Sequence, residues 1–169
     1  MVTIGDYKEV RMARITLPPG EFDESIRVLG VQPAMGNAMA VMSDAIYSKS
    51  GLDLRVRELI RMRVAQINAC QVCLNYRFPE LEAQGINETF YSEVASWRES
   101  ELFSDREKLA VEFAERFILD HLNIDDLFFD ALKAHYSSTE IYEMSTTIAG
   151  LLANGRVMQV LHIDQSCAL

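Results

Sequence analysis

The sequence has few of the features that mark disulfide-rich or membrane proteins. Only three of its 169 residues are cysteines, and no apolar run approaches the roughly 20 residues that a membrane-spanning helix requires. The stretch MVTIGDYKEVRMARI at the start contains no apolar segment typical of a secretory signal. We therefore expect a cytoplasmic protein with no membrane partner, in which thiols stay reduced unless they are catalytic or redox-sensing.

Positive charge is also scarce, and the formal net charge is −9. This charge repels phosphate backbones, so nucleic acid is not an expected partner. The densest basic group alternates with apolar residues along one predicted helix and consists of Arg55, Arg57, Arg61 and Arg63. We interpret this group as a solvated or salt-bridged face of the helix.

What the sequence does contain is a C-x-x-C motif formed by Cys70 and Cys73. Cysteines three residues apart lie on one side of a helix, where their sulfurs can form and reopen a disulfide. The thiolate is the nucleophile, and a helix N-terminus or a nearby cation lowers its pKa from about 8.5 to roughly 3.5–7.5. Asn68 is a suitable N-cap for a helix that begins at the motif. Arg77 lies four residues beyond Cys73 and hence on its helical face.

The motif has two other interpretations. It is compatible with half of a zinc site, but no second C-x-x-C or H-x₃₋₅-H pattern follows to supply the missing ligands. It is also compatible with two buried cysteines that act as small hydrophobic residues. We favour redox chemistry over both and expect neither a metal nor a cofactor. His121, His135 and His162 occur singly, and we interpret Cys167 as an incidental thiol.

A carboxylate, Glu58, lies twelve residues before Cys70 among apolar neighbours of a predicted helix. It either pairs with Arg61 at the i+3 position or points toward a site. The spacing favours the ion pair.

The sequence predicts a single all-α domain over residues 1–169, because no stretch of alternating polarity is long enough for a strand. An extended arm is predicted over residues 1–20, which end in L-P-P-G. Helices are predicted at 21–30, 33–48, 53–68, 68–84 with a stop at Gly85, 88–97, 104–120, 125–136 and 138–163. Pro79 lies inside the fourth of these, so a kink or a restart is predicted near Phe78. Asp53 is a predicted cap of the helix that follows it, and capping boxes are predicted at Ser104–Glu107 and Ser137–Glu140.

Apolar side chains on two of these helices are predicted to be buried. On the helix predicted at 33–48 they are Met35, Met39, Met42 and Ile46, whose spacing favours packing in the core, with the lining of a ligand cavity as the alternative. On the helix predicted at 125–136 they are Leu127, Phe128, Ala131 and Leu132.

On these residues, the chain resembles the carboxymuconolactone decarboxylase family, and within it the alkylhydroperoxidase D-like branch. The resemblance covers residues 30–163, and its signature is a glutamate, a C-x-x-C motif and a histidine four residues further on. Here the signature reads Glu58, Cys70-Gln-Val-Cys73 and then Arg77 in place of the histidine. Supporting segments are residues 54–68, 97–100 and 103–107, together with Asn154 and Arg156 in the last helix.

The resemblance implies an all-helical fold in which a central helical hairpin carries the cysteines and which assembles into trimers or hexamers. It also implies that Cys73 attacks a hydroperoxide and becomes a sulfenic acid, which Cys70 resolves as a disulfide. Glu58 would act as the base, and Arg77 would take the histidine position in the site. The implied partners are a small hydroperoxide or other small molecule and a reducing protein or thiol.

Three functions remain open from the sequence. The first is a thiol-dependent peroxidase, an antioxidant enzyme regenerated by a reduced protein or small thiol. The second is a non-enzymatic, oligomeric redox-sensing or binding protein. The third, which we rank last, is a decarboxylase in which Arg77 holds a substrate carboxylate as a bidentate fork.

Overall fold

The structure is a computed structural model that describes residues 12–163. Within this range the chain contains no β-strand, so the all-α prediction is confirmed. The α-helices are α1 (Glu24–Arg27), α2 (Pro33–Asp44), α3 (Leu54–Asn68), α4 (Gln71–Asn75), α5 (Glu88–Glu93), α6 (Asp105–Leu119), α7 (Asp126–His135) and α8 (Ser138–Leu161). A π-helical turn forms at Ala45–Lys49, and 3₁₀ turns form at Val28–Gly30, Pro79–Gln84, Val94–Ser96 and His121–Asn123.

Of the predicted N-terminal arm, residues 1–11 lie outside the described range. Residues 12–23 precede the first helix and form neither helix nor strand. The backbone N–H of Arg14 donates to the carbonyl of Leu161 at 2.9 Å, so this segment lies against the end of α8. None of the helices in residues 12–163 combines the length and apolarity needed to cross a membrane.

Helix α3 is the centre of the fold because both hydrophobic clusters pack on it. One cluster joins α3 to α6, α7 and α8 and includes Ile60, Val64, Phe113, Leu132, Met144 and Ile148. The other joins α3 to α5 and the loops around it and includes Leu59, Met62, Phe90, Val94 and Trp97. Each large side chain buried in this way stabilises the fold by about 1.5–3 kcal/mol. Polar side chains on α3 are therefore held in fixed positions.

Helix starts follow the predicted capping signals. The Asp53 carboxylate accepts from the backbone N–H groups of Arg55 and Val56 at 2.9 and 3.3 Å, which starts α3. The predicted capping boxes at Ser104 and Ser137 are both present and start α6 and α8.

The segment after α3 differs from the prediction. Asn68 is not an N-cap but the last residue of α3, and Ala69 follows in the left-handed region with φ of 51°. The Asn68 side chain is occupied elsewhere, since it donates to the carbonyl of Leu152 in α8 at 3.3 Å. Helix α4 then ends after five residues instead of continuing to 84. The predicted restart near Phe78 is confirmed, because Phe78 is extended and a 3₁₀ turn begins at Pro79. A proline disfavours helical geometry in the residue before it.

The predicted stop at Gly85 is confirmed, with φ of 77°. Two burial predictions are wrong in part. On α2, Met35 is 67% exposed and Met42 is 41% exposed, so core packing does not apply to them. Core packing is confirmed for Ile46, which is 4% exposed and belongs to the cluster that joins α3 to α6, α7 and α8. Of the three methionines only Met42 lines the cavity of about 190 Å³ between the end of α2 and α8, and a ligand there stays a prediction. On α7, Phe128 and Leu132 are buried, whereas Leu127 and Ala131 are exposed because only a narrow face of this helix meets the core.

Candidate active site

The turn between α3 and α4 brings the two thiols together. The left-handed Ala69 reverses the chain, Cys70 is the residue just before α4, and Cys73 lies in its first turn. The two sulfurs lie 3.3 Å apart, a hydrogen-bonding distance that is longer than the ~2.05 Å of a disulfide. Both are free thiols, and Cys70 is fully buried whereas Cys73 is partly exposed. A small molecule arriving from solvent therefore meets Cys73 first.

Ionisation of one thiol is coupled to the other. The hydrogen bond from Cys73 lowers the pKa of the Cys70 thiol to about 7, against the opposing effect of burial. The same hydrogen bond, together with burial, raises the pKa of Cys73, and the charge of Arg61 offsets this only in part. The pair thus loses its first proton near neutral pH and keeps the second. Because the sulfurs are 3.3 Å apart, the remaining proton can pass from one to the other.

Arg61 and Glu58 form the buried ion pair that the i+3 spacing predicts. Arg61 Nε lies 2.8 Å from Glu58 Oε2, and the two side chains are only 2% and 0% exposed. Arg61 also donates to the carbonyl oxygens of Cys73 at 2.6 Å and Tyr76 at 3.2 Å. These two hydrogen bonds connect the segment that carries Cys73 to helix α3.

The Glu58 carboxylate is only partly satisfied. Its Oε2 accepts a second hydrogen bond, from the Tyr91 hydroxyl at 3.2 Å. Its Oε1 is buried and has no hydrogen-bond partner among the described residues. An oxygen of this kind can accept a proton or a hydrogen bond from a bound molecule or water.

Arg77 does not lie on the helical face of Cys73, so that prediction is wrong. Helix α4 ends at Asn75, and the Arg77 guanidinium turns to Glu88, with contacts of 2.6 and 3.2 Å. It lies 4.2 Å from the centre of the Tyr91 ring and lines a cavity of about 100 Å³ with Tyr91. The cation that acts on Cys73 is Arg61. A catalytic role for Arg77 stays a prediction.

The basic group on α3 divides into two kinds. Arg55, Arg61 and Arg63 are salt-bridged as predicted. Arg57 is only 6% exposed, its Nε has no hydrogen-bond partner in residues 12–163, and its Nη1 donates to the backbone carbonyl of Tyr47 at 2.9 Å. Arg57 thus lies against Tyr47, whereas the charge of Arg61 acts on Cys73.

Sequence reasoning missed Tyr47. Its ring packs 5.4 Å from that of Phe78, and its hydroxyl is acted on by the charges of Arg61, Glu58, Cys73 and Arg57. Tyr47 belongs to the π-helical turn after α2, so no spacing within the C-x-x-C segment could have indicated it. A π-helical turn is frequent at functional sites, but it is not visible in a sequence.

The described part of the chain shows no metal centre. Within residues 12–163 no group of three or more histidine, cysteine, aspartate or glutamate side chains is placed to hold an ion. His121 and His135 are exposed, in the turn after α6 and at the end of α7. Cys167 lies outside the described residues.

Comparison with known proteins identifies relatives of this chain. Residues 33–116 match the carboxymuconolactone decarboxylase family. The uncharacterized protein YnjA of Escherichia coli K12 is 35% identical over 101 residues, which are 59% of this chain and 55% of YnjA. The chain therefore spans about half the length of that relative.

Two solved structures share the fold. A peroxidase-related protein with an alkylhydroperoxidase AhpD core, from Ralstonia eutropha JMP134, aligns with a TM-score of 0.77 and 16% identity over 92% of this chain and 95% of that one. A protein of unknown function from Agrobacterium tumefaciens, named as a candidate antioxidant defence protein AhpD, aligns with a TM-score of 0.69 and 24% identity over 80% and 92%. At these identities the likeness shows the fold.

Proposed function

Because this chain belongs to the carboxymuconolactone decarboxylase family, with the fold of alkylhydroperoxidase D-like proteins, we propose that it is a thiol-dependent hydroperoxidase. The names of the two structural neighbours, one peroxidase-related and one a candidate antioxidant defence protein, support this proposal. The observation that carries it is the pair of sulfurs 3.3 Å apart, one partly exposed and one buried.

The geometry suits a two-step reduction of a small hydroperoxide. The Cys73 thiolate attacks the terminal oxygen, and the O–O bond breaks to give a Cys73 sulfenic acid and an alkoxide. The alkoxide takes up one proton, equal to the one that the thiol released when it ionised, and leaves as an alcohol. Cys70 then attacks the oxidised sulfur, which forms the disulfide and releases water. A reducing protein or small thiol returns the pair to the dithiol in exchange for its own oxidation.

The hydrogen bond with Cys70 and burial raise the pKa of Cys73, and the charge of Arg61 opposes this only in part. The first thiolate therefore forms at Cys70, whose pKa is lowered to about 7, and the attacking Cys73 thiolate forms when the shared proton crosses the 3.3 Å between the sulfurs. Glu58, with its unpartnered Oε1, is the group proposed to hold a water or accept a proton. No cofactor is required, because both electrons come from the thiols.

The test is peroxide consumption with a dithiol reductant, together with trapping of intermediates. Cys73→Ser should abolish turnover. Cys70→Ser should permit one round of oxidation and leave a sulfenic acid at Cys73 that a dimedone-type reagent captures. Cys167→Ser is the matched control for the third thiol and should retain activity. Unchanged turnover in Cys73→Ser would exclude the proposal.

The other functions make different predictions. A redox sensor would form a reversible disulfide without turning over peroxide. A decarboxylase would be indifferent to thiol alkylation. The ion pair between Arg77 and Glu88 argues against the decarboxylase, because the guanidinium fork is already engaged by a carboxylate.

A homo-oligomer, either a trimer or a hexamer, is also proposed. Large apolar side chains are exposed on α2 and near the end of α8, including Met35 at 67%, Val41 at 69% and Val160 at 60%. Sedimentation velocity would test this assembly. A monomer at micromolar concentration would refute it.

A further inference from the structure

Helix α4, which carries Cys73, depends on its neighbours for its position. It has five residues, none of them is fully buried, and its N-cap position makes no side-chain hydrogen bond. A helix this short is marginal unless contacts outside it hold it in place. The orientation of Cys73 is therefore decided by whatever binds the ends of α4.

Two guanidinium groups bind the carbonyl oxygens at the end of α4. Arg61 donates to the carbonyl of Cys73 at 2.6 Å, and Arg77 donates to the carbonyl of Leu74 at 2.7 Å. Both arginines also donate to the carbonyl of Tyr76, at 3.2 and 3.0 Å. The last carbonyls of a helix have no partner inside it, and arginine side chains can satisfy them. The two arginines together therefore fix the end of α4.

The two arginines are anchored on different helices. Arg61 pairs with Glu58 inside α3. Arg77 pairs with Glu88, the first residue of α5, at 2.6 and 3.2 Å, and its guanidinium lies 4.2 Å from the centre of the Tyr91 ring. A guanidinium has five N–H donors in a rigid fork, so one side chain can bind a carboxylate and two carbonyls at the same time. Arg77 thus connects α4 to α5.

The separation of the sulfurs depends on where α4 lies. Cys70 precedes α4, and its backbone N–H donates to the carbonyl of Ala65 in α3 at 3.1 Å. Cys73 belongs to α4 itself, so a movement of α4 relative to α3 changes the 3.3 Å distance between the sulfurs. If the end of α4 is loose, disulfide formation must first order it, and that entropy cost lowers the equilibrium constant.

We propose that Arg77 is a positioning residue, which holds the end of α4 to α5 and so keeps Cys73 within bonding reach of Cys70. It acts through the carbonyls of Leu74 and Tyr76. The inference rests on the proposed function only in that the two thiols must form a disulfide. It goes beyond that function by giving Arg77 a task other than proton transfer, which a permanently protonated guanidinium does not perform.

The equilibrium of the thiol pair with glutathione tests this positioning without any hydroperoxide. The S–S bond of oxidised glutathione breaks, the bond between Cys70 and Cys73 forms, and two molecules of reduced glutathione carry away the two thiol protons. All variants carry Cys167→Ser to remove the third thiol. Arg77→Met should lower the equilibrium constant about 5–10-fold, because α4 loses its charged hydrogen bonds and its link to α5. Glu88→Ala should lower it by about twofold, because the bonds from Arg77 to the carbonyls remain.

A second measurement is the titration of the thiols by thiolate absorbance. The hydrogen bond from Cys73 lowers the pKa of Cys70 to about 7, so this pKa should rise in Arg77→Met as the sulfurs separate. A loss of global stability would not by itself produce this change. The matched control is Arg116→Met, since Arg116 makes a similar ion pair within α6, at 2.6 Å, and lies 4.3 Å from the ring of Phe128 in α7. It should leave both measurements unchanged.

Three results would overturn the inference. The first is an unchanged equilibrium constant and titration in Arg77→Met. The second is an equal fall in Arg77→Met and Arg116→Met, which would be a general effect of removing a surface ion pair. The third is an unchanged constant in Glu88→Ala, because α5 would then not be the anchor. If wild type forms the disulfide with glutathione but consumes no hydroperoxide, the proposed function fails and this inference stands. If wild type forms no disulfide with either oxidant, both fail.

Discussion

Replacing Arg61 by methionine should destabilise the protein far more than replacing Arg77. Both arginines make an ion pair with a glutamate at 2.6–2.8 Å, but Glu58 and Arg61 are almost completely buried whereas Glu88 is 77% exposed. Arg61→Met leaves a buried carboxylate whose one described hydrogen bond comes from Tyr91. Removing one partner of a buried pair costs about 3–5 kcal/mol. An exposed pair contributes at most about 1 kcal/mol.

The measurement is urea denaturation of Arg61→Met, Arg77→Met and wild type at one protein concentration. A domain is stable by about 5–15 kcal/mol, so the expected loss in Arg61→Met is a large fraction of the total. Arg77→Met is the matched control, since it removes the same number of guanidinium donors from a solvated pair. Similar losses in the two variants would refute the argument that burial decides the strength of this pair.

A double-mutant cycle sharpens the result. Glu58→Leu combined with Arg61→Met removes both charges, so the combined loss should be smaller than the sum of the single losses by at least about 1 kcal/mol. Additive losses would mean that Arg61 stabilises the protein only through its hydrogen bonds to the carbonyls of Cys73 and Tyr76.

Three further predictions concern the thiols, a cap and a close approach. The pKa of the Cys70 thiol, about 7 beside Cys73 against an ordinary 9.0, should rise in Cys73→Ala, measured by thiolate absorbance, and an unchanged titration would contradict the hydrogen-bond origin. Because this pKa is lowered on folding, the reduced wild-type protein should gain stability as pH rises from about 7 to 9, and the gain should vanish in Cys73→Ala. Ser137→Ala should cost about 1 kcal/mol in urea by removing the cap of α8, whereas the exposed Ser138→Ala should cost little, and equal effects would exclude capping. Gly155→Ala should lower the free energy of unfolding, measured by thermal denaturation, by about 1–3 kcal/mol, because the added carbon would meet Asn68 Nδ2 at 2.5 Å. Gly20→Ala is the control and should cost little, because its added carbon would have its nearest contact at 3.6 Å.

Features that depend on neighbouring residues were predictable from the sequence. The caps at Asp53, Ser104 and Ser137 were predictable, because each capping side chain binds backbone N–H groups that lie within three residues of it. The pair of Glu58 and Arg61 was predictable for the same reason.

Features that depend on tertiary contacts were not. Arg57 reaches the Tyr47 carbonyl only after the turn that follows α2 packs against α3, and Arg57 looked like an ordinary surface cation. Asn68 is a residue type that favours caps, but a hydrogen bond to α8 keeps it inside α3. Leu127 shows a further limit, since periodicity gives the direction of an apolar face and not its width.

The left-handed alanine at position 69 has implications for protein engineering. A non-glycine residue in this region costs about 1–2 kcal/mol, so Ala69→Gly is an obvious choice for anyone who wants a more heat-resistant protein. Glycine would also widen the range of backbone conformations open to the turn between α3 and α4, which positions both sulfurs. Position 69 therefore links two properties, the thermal stability of the protein and the relative orientation of the Cys70 and Cys73 sulfurs. A variant selected for heat resistance alone would lose part of that orientation.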